Sequence, residues 1–545
     1  MILTFPMNTL VTRLKQNWRS GVTVGLVSIP LSVSLAVASQ ATPTMGIITA
    51  IWAGLFAALF GGSAFNIVGP TGALSGLLAA YAFTHGAGSL PMLAIVTGVL
   101  VLLAWTFKLE RWLIFVPGAA IHGFTLGVAF IISLNQLDFA LGLTGIEKHE
   151  RFISNVFTSL QHIGQSQPAA VLLFFIVLAA LFLFLKYIPK IPGVIVLTPI
   201  GVLIGKLSTD GALPFRLQTL NDKFSDISGQ LFLNHGWMID KQMVVTALAV
   251  ALIAIIETMV SAKMADAMTN TKHDRRKEMF GLGLANLASG LMGGIPATAA
   301  LARTSLNAKS GANHSTSAAV SSITIVVVSL LLLPWFKFVP MAMIAAILTF
   351  VAVRMVELHH LKRYWEQDKR GFAIAMITAF ICVFEDPIAG VMFGTAAALL
   401  IFSERISHGP FELVIHHADG NADKIVHEHE SVTCDATDLL IYSFTGQLAY
   451  LNAESHAEHF RTKVNGATTV ILRMRHLYMI DVDGLDALEE IVKDLEQAGK
   501  TVVLSGVNPH IKTTLERSAV YKTLVERGRV YDRTSHAIRA LGCKV

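Results

Sequence analysis

The sequence predicts an all-α polytopic membrane protein with fourteen membrane elements, arranged as two inverted repeats of seven, followed by a small soluble α/β domain. Three observations predict this fold class: an apolar composition, an uneven placement of Lys and Arg, and a pair of interrupted segments. Of the 545 residues, 53% are hydrophobic and only 14% are charged. Because a soluble domain carries about a quarter charged residues, more than half of the chain is expected to avoid water.

The apolar runs give the count of membrane elements. A spanning helix needs roughly 20 apolar residues. Full-length or nearly full-length segments lie at about 20–40, 45–61, 90–107, 112–135, 168–186, 191–206, 241–265, 277–293, 316–334, 339–357, 371–387 and 389–405. Two more pieces, at about 70–83 and 301–312, are too short or too glycine-rich to cross alone, so we count them as half-helices.

The basic residues give the orientation. With the N-terminus inside, Lys and Arg fall in cytoplasmic loops, whereas the short external connections 41–44, 84–89 and 294–300 carry neither. This asymmetry predicts a multi-pass protein of the plasma (inner) membrane, embedded in the lipid bilayer, with its N-terminus and C-terminal domain in the cytoplasm. The net charge of +5 reflects these loops, so no nucleic-acid partner is expected.

The chain also repeats one unusual pattern. Gly61-Gly62-Ser63 leads to Gly69-Pro70-Thr71 and a short helix, and Gly293-Gly294-Ile295 leads at the same interval to Arg303-Thr304-Ser305 and another. Paired interrupted segments at corresponding positions of two halves indicate the midplane site of a transporter. The alternative is that the glycines only permit close helix packing.

The two short helices predict an anion site. A helix N-terminus exposes unpaired N–H groups and about half a positive charge, so two such ends meeting at the bilayer centre would replace the water around an anion. The predicted anion-binding residues are Gly69, Thr71, Gly72, Ala302, Arg303 and Thr304. Arg303 would attract the anion electrostatically; the alternative is that it only pairs with Glu257.

An acidic residue predicts coupling to a cation. Glu257 lies midway in the otherwise uncharged segment 244–262, and Ser261 follows one turn later. Glu257 would carry a proton, or with Ser261 would hold Na⁺, which is the only metal ion expected; the alternative is a structural acid. His122 is a lone histidine in a span and is interpreted as a packed or bundle-facing group rather than a proton relay.

After residue 406 the composition becomes polar. We assign 1–406 to the membrane domain (repeats at about 15–206 and 241–406), 407–430 to a linker and 431–545 to a soluble domain. In that domain 467–474 and 501–504 read as buried strands around an amphipathic helix, which predicts a partly parallel sheet. The sequence contains no phosphate-binding glycine loop, zinc-ligand spacing or nucleophile elbow, so neither an enzyme nor a cofactor is expected.

The chain resembles the SulP family of anion transporters, which includes sulfate permeases and bicarbonate transporters. The resemblance rests on 265–273 (ADAMTNTKH), 281–294 (GLGLANLASGLMGG) and 302–304 (ART), with 480–489 and 503–507 similar to a STAS domain. It implies core and gate domains, an anion between the third and tenth elements, an elevator-like motion and commonly a homodimer. Cation-coupled members carry a carboxylate at the position of Glu257 and a hydroxyl at that of Ser261, which favours symport over exchange.

This chain departs from the family pattern at several positions. Many relatives have glutamine where this chain has Leu31, and animal relatives have serine where it has Ala302. A bicarbonate transporter of the family lacks the arginine found at Arg303, whereas sulfate and dicarboxylate branches retain it. Phosphorylated STAS domains carry serine where this chain has Val482, so a phosphorylation switch is not expected there.

The sequence thus predicts secondary active uptake of a small inorganic or organic anion by symport with Na⁺ or H⁺. Bicarbonate and sulfate are the leading substrates and a dicarboxylate is third. One alternative is a nucleobase permease of the same general fold, which would normally lack a STAS domain. Another is a membrane sensor that signals through the STAS domain and has no need of a coupling-ion site.

Overall fold

The computed structural model describes residues 7–146, 152–188, 191–223, 239–385, 387–408, 411–417, 422–425, 432–433, 439–465 and 467–542. The chain forms two compact units, Met1–Ala398 and Leu399–Val545. The helices that begin in the first unit are α1 (Met7–Ala38), α2 (Pro43–Phe60), α3 (Gly72–His85), α4 (Leu90–Thr106), α5 (Gly118–Leu134), α6 (Leu137–Leu141), α7 (Phe152–Gln161), α8 (Pro168–Tyr187), α9 (Gly193–Thr209), α10 (Leu220–Lys223), α11 (Lys241–Thr269), α12 (Arg275–Leu291), α13 (Leu301–Lys309), α14 (Thr316–Phe336), α15 (Met341–Met355), α16 (Leu358–Gln367), α17 (Lys369–Phe384) and α18 (Pro387–Ser407). Three short 3₁₀ helices lie at Ala87–Ser89, Leu109–Phe115 and Ile163–Gln165.

Each of the fourteen predicted membrane elements corresponds to a helix of this unit, including the half-helices α3 and α13. By length and composition, eight helices among the described residues are apolar enough to cross a membrane. Two of the remaining helices, α12 and α17, start at a polar N-cap residue. The side chain of Asp274 accepts a hydrogen bond from the Lys277 N–H at the start of α12, and Asp368 does the same for Gly371 at the start of α17.

The membrane unit contains two bundles. In the core bundle, α1–α4 pack with α11–α14: α1 lies against α14, and α12 lies against α2 and α4. In the gate bundle, α5–α9 pack with α15–α18: α5 lies against α17, and α15 lies against α8. Each bundle therefore takes consecutive elements from both halves of the chain, as the seven-plus-seven inverted repeat predicts. The half-helix α3 contacts α5, which places α3 at the border of the two bundles.

Two short strands join the interrupted segments. β1 (Val68–Gly69) precedes α3, and β2 (Thr298–Ala299) precedes α13. They pair antiparallel, with Val68 opposite Ala299 and Gly69 opposite Thr298. Non-helical backbone is tolerated inside a membrane only where other protein groups form hydrogen bonds with its N–H and C=O groups. The pairing of β1 with β2 provides some of these hydrogen bonds.

The second unit contains an α/β domain. Its strands are β3 (Phe411–His416), β4 (Ala422–Ile425), β5 (Val432–Thr433), β6 (Leu439–Leu448), β7 (Val464–Asn465), β8 (Thr469–Ile480), β9 (Thr501–Ser505) and β10 (Val530–Tyr531), and its helices are α19 (Ala453–Lys463), α20 (Val482–Gln497), α21 (Pro509–Leu515), α22 (Ala519–Glu526) and α23 (Thr534–Ala540). The main sheet has the order β10-β9-β8-β6-β3-β4, parallel from β6 to β10 and antiparallel at β3 and β4. The predicted partly parallel sheet is confirmed.

The predicted linker 407–430 is wrong where β3 and β4 form. β3 pairs with the central strand β6, and Leu413 and Ile415 bury their side chains in the core of the domain. The histidines and acids between 408 and 429 suggested a polar connection, but the alternating apolar residues of β3 give it one buried face. The sheet therefore begins before the predicted boundary at 431.

Candidate anion and coupling-ion site

The ladder of β1 and β2 brings the N-termini of α3 and α13 together. Thr71 precedes the first residue of α3 and Ala300 precedes that of α13, and neither helix has a side-chain cap. The Ala300 N–H donates to the Ile67 carbonyl at 3.0 Å, which extends the ladder by one bond. The first-turn N–H groups of both helices are thus free of cap side chains, so they can bind an anion.

Arg303 lies in the first turn of α13 and is only 2% exposed. Its Nη2 donates a hydrogen bond to the Pro70 carbonyl of the other repeat. Its Nη1 has no hydrogen-bond partner among the described residues. A buried cationic donor without an acceptor is unfavourable, and an anion at this position would satisfy it.

Arg303 does not pair directly with Glu257. No guanidinium nitrogen of Arg303 lies within 4.0 Å of a carboxylate oxygen of Glu257. The guanidinium lies beside Gly69 instead, since a Cβ atom added there would lie 2.8 Å from Nη1. The alternative in which Arg303 serves only as the partner of Glu257 is therefore not supported by the contacts.

Glu257 on α11 is 7% exposed and lies beside the first half-helix. The Thr71 hydroxyl donates to Glu257 Oε2 at 3.1 Å. Ser261 is fully buried, and its hydroxyl donates to Thr304 Oγ1 at 2.9 Å. Thr304 Oγ1 also accepts from the Ile67 N–H at 3.1 Å. Glu257 is thus joined to Thr71, the residue before α3, and Ser261 is joined to the first turn of α13.

The structure places the remaining predicted anion residues differently. Gly72 is buried against the gate bundle, where an added Cβ would meet the Ile132 side chain of α5 and lie 3.6 Å from Met355 Sδ of α15. Ala302 has an exposed side chain, so only its backbone N–H is available as a first-turn donor. The six predicted residues lie on the two joined segments, but their role in binding stays a prediction.

One described cavity of the membrane unit lies away from these residues. It has a volume of about 670 Å³ and lies at the ends of α1, α3, α5 and α17. Its lining includes Gly76 and Phe83 of α3, Gln40, Asn135 and Glu385. None of the predicted anion or coupling residues lines it. The hydrogen bonds and the unpaired guanidinium nitrogen, rather than cavity size, identify the candidate site.

Sequence reasoning missed the residue that holds the first interrupted segment. Glu278 in the first turn of α12 is 3% exposed. Its Oε2 accepts from the N–H groups of Gly62 and Ser63, each at 2.7 Å, and its Oε1 accepts from the Asn66 amide at 2.6 Å. The available signal was an acid at the start of an apolar span, directly after a basic loop.

Comparison with known proteins agrees with this architecture. The sulfate permease family matches residues 14–378, and the STAS domain matches 426–537. YvdB of Bacillus subtilis is 32% identical, covering 92% of this chain and 93% of its own length. The bicarbonate transporter BicA of Picosynechococcus is 25% identical, covering 92% of this chain and 90% of its own.

A solved structure shares the fold over nearly the full length. The murine solute carrier 26 family member A9, an anion transporter, superposes with a TM-score of 0.81 at 16% identity, covering 99% of this chain and 92% of that one. At this identity the match concerns the fold. The family match over most of the membrane unit settles membership: the chain belongs to the sulfate permease family and is a membrane anion transporter, not an enzyme, with a C-terminal STAS domain.

Proposed function

We propose that the protein takes up a small oxyanion, bicarbonate or sulfate with a dicarboxylate as third candidate, by symport with Na⁺ or H⁺. The observation that carries the proposal is the meeting of two uncapped helix N-termini beside a buried arginine whose Nη1 lacks a partner. Helix N-termini and a guanidinium both favour negative charge. The name of the family favours sulfate, and the relative BicA is named as a bicarbonate transporter.

The coupling proposal follows from the charges at the site. Arg303 and Glu257 balance each other when both are ionised, although they are not in contact. Binding an anion then leaves an excess negative charge in a region of low dielectric constant, which is costly. A proton on Glu257, or Na⁺ bound to it, would restore the balance. The Thr71 hydroxyl joins Glu257 to the start of α3. Protonation of Glu257, or Na⁺ binding to it, would therefore affect the anion donors of α3 through one hydrogen bond.

The two bundles suggest the motion. The anion donors belong to the core bundle, while Ile132 and Met355 of the gate bundle cover Gly72. A displacement of the core bundle along the gate bundle would move the site between the two sides of the membrane, which is an elevator-type mechanism. The proposal includes a homodimer in the plasma (inner) membrane, with the STAS domain in the cytoplasm.

Flux into proteoliposomes tests substrate and coupling together. Labelled sulfate, bicarbonate and succinate are supplied with an inward Na⁺ gradient, an inward proton gradient or neither. We expect uptake of at least one anion to rise with one of the gradients. Cross-competition among the three anions then ranks them as substrates.

The decisive variant is Glu257→Gln, which keeps an oxygen acceptor for Thr71 but removes the ionisable group. We expect it to abolish the response to the gradient, while Glu366→Gln, at a side chain that is 56% exposed, leaves the response unchanged. Gradient-driven flux that survives in Glu257→Gln would exclude the coupling role. The absence of any anion flux in the unmodified protein, with intact binding, would instead favour the sensor.

A further inference from the structure

A cluster of metal-binding side chains lies in the gate bundle, apart from the anion site. His122 belongs to the second turn of α5, Glu357 is the residue before α16, and His360 lies in the first turn of α16. Each offers one ligand atom, and these atoms lie within 4.8 Å of one another. The His122 and His360 rings stack with their centroids 4.5 Å apart.

The cluster is more than a simple ion pair. His122 Nδ1 and Glu357 Oε2 are 2.7 Å apart, which is a hydrogen-bonding distance, and Nδ1 is buried. With no metal ion bound, one proton lies between these two atoms, and a cation that displaced this proton would be held by both. His360 adds a third ligand atom beside them.

The ligand set matches the chemistry of zinc. Two imidazoles and one carboxylate form a common three-residue set for Zn²⁺, which leaves further coordination positions for water. Glu357 and His360 are three residues apart, so both project from one turn, and His122 approaches from another helix. Zinc–ligand bonds are about 2.0–2.2 Å long, so donor atoms within 4.8 Å of one another need only small side-chain rotations to reach one ion.

We propose that His122, Glu357 and His360 form a binding site for a zinc-type divalent metal ion. The site is accessible, because the His122 side chain is 17% exposed and that of Glu357 is 36% exposed. A bound ion would join α5 to the connection between α15 and α16. Ile132 of α5 and Met355, the last residue of α15 before that connection, lie against Gly72, so the ion would fix the gate surface that faces the proposed anion donors.

Direct binding to the purified full-length protein in detergent tests the proposal. Zn²⁺ is titrated by calorimetry, and bound zinc is counted per chain after removal of weakly bound ions. The variants are His122→Gln, Glu357→Gln and His360→Gln. The matched control is His359→Gln, because His359 is the exposed neighbour of His360 on the same helix and lies outside the ligand set.

We expect each of the three variants to lower the affinity of one site at least about tenfold or to reduce the count by one ion, while His359→Gln binds like the unmodified protein. Co²⁺ bound in place of Zn²⁺ should give a visible absorption band that is lost in Glu357→Gln and His360→Gln. These two variants alter a partly exposed helix start, so they keep the test valid if His122→Gln does not fold. Binding that is equal in all four variants, or lost equally in His359→Gln, would overturn the proposal.

Discussion

The two interrupted segments have the same backbone plan but different chemistry. Each leaves a full-length helix at a Gly-Gly pair, passes through a two-residue strand and enters a half-helix without a side-chain cap. The first, before α3, contributes neutral Thr71 and Gly72. The second, before α13, contributes Arg303. The repeat therefore duplicates the backbone arrangement, whereas the buried cationic side chain comes from one half alone.

The segments also differ in how the opposite repeat holds them. The first rests on the carboxylate of Glu278 from α12, which accepts two N–H groups and one amide. The second rests on neutral groups: Thr49 of α2, from the opposite repeat, accepts from the Ile295 N–H at 2.7 Å, and the Ser289 hydroxyl of its own repeat donates to the Ile295 carbonyl at 2.7 Å. The difference teaches that a non-helical crossing requires polar partners but not a particular charge.

The largest effect is expected from removing the charged support. Glu278→Ala removes three hydrogen bonds at once and leaves the Gly62 and Ser63 N–H groups without an acceptor, while the Asn66 amide keeps only the Thr258 carbonyl. Each unsatisfied buried donor costs about 1–3 kcal/mol. Thr49→Val leaves the single Ile295 N–H without its acceptor and should cost about 1–3 kcal/mol in total. We expect little folded Glu278→Ala protein and a modest fall in the melting temperature of Thr49→Val, both measured by size-exclusion thermostability in detergent. Equal losses in the two variants would show that the charge of the support is unimportant.

The next effect concerns the charge that only the second segment carries. Arg303→Ala should weaken anion binding about 10- to 100-fold, because a hydrogen bond to a charged group contributes about 1.5–3 kcal/mol. Arg303→Lys keeps the charge but loses the planar guanidinium, so its anion affinity should lie between those of the unmodified protein and Arg303→Ala. Equilibrium binding of labelled sulfate and bicarbonate measures both variants. Unchanged affinity for both anions in Arg303→Ala would rule out the electrostatic role.

The smallest effect tests the contact between the segments. In Gly69→Ala the new Cβ would lie 2.8 Å from Arg303 Nη1, so the guanidinium must shift away from the first half-helix. We expect anion affinity to fall by no more than about tenfold, or about 1.4 kcal/mol. Gly164→Ala is the matched control, because an added Cβ there meets no atom within 4 Å. An effect of Gly69→Ala larger than that of Arg303→Ala would mean that the strand pair, not the arginine, dominates binding.

The membrane elements were predictable because their signal is local. A continuous apolar run such as 241–265 specifies its own helix, and α11 covers Lys241–Thr269. The amphipathic α16 and the short α7 were not predicted, since neither is an apolar run of spanning length. In the soluble domain β8, α20 and β9 were predicted from strong periodicity, whereas β3 and β4 were assigned to a linker.

The candidate site was predictable in its members but not in its contacts. Arg303 and Glu257 stood out as charges within apolar segments. Their partners did not: the guanidinium reaches Pro70, 233 positions away, and Glu278 reaches Gly62, 216 positions away. Such contacts depend on how the two repeats pack together, and a local sequence pattern does not specify that packing. His122 was interpreted as a packed residue because its partners Glu357 and His360 lie on a distant helix.

The ladder between β1 and β2 has a mechanical consequence. Because the two strands share backbone hydrogen bonds, separating the half-helices would leave backbone N–H and C=O groups without partners inside the membrane. In the proposed transport cycle, passing an anion from one helix N-terminus to the other would require that separation, so such a relay is disfavoured. The proposed anion would instead stay between two joined segments while the surfaces between the core and gate bundles move.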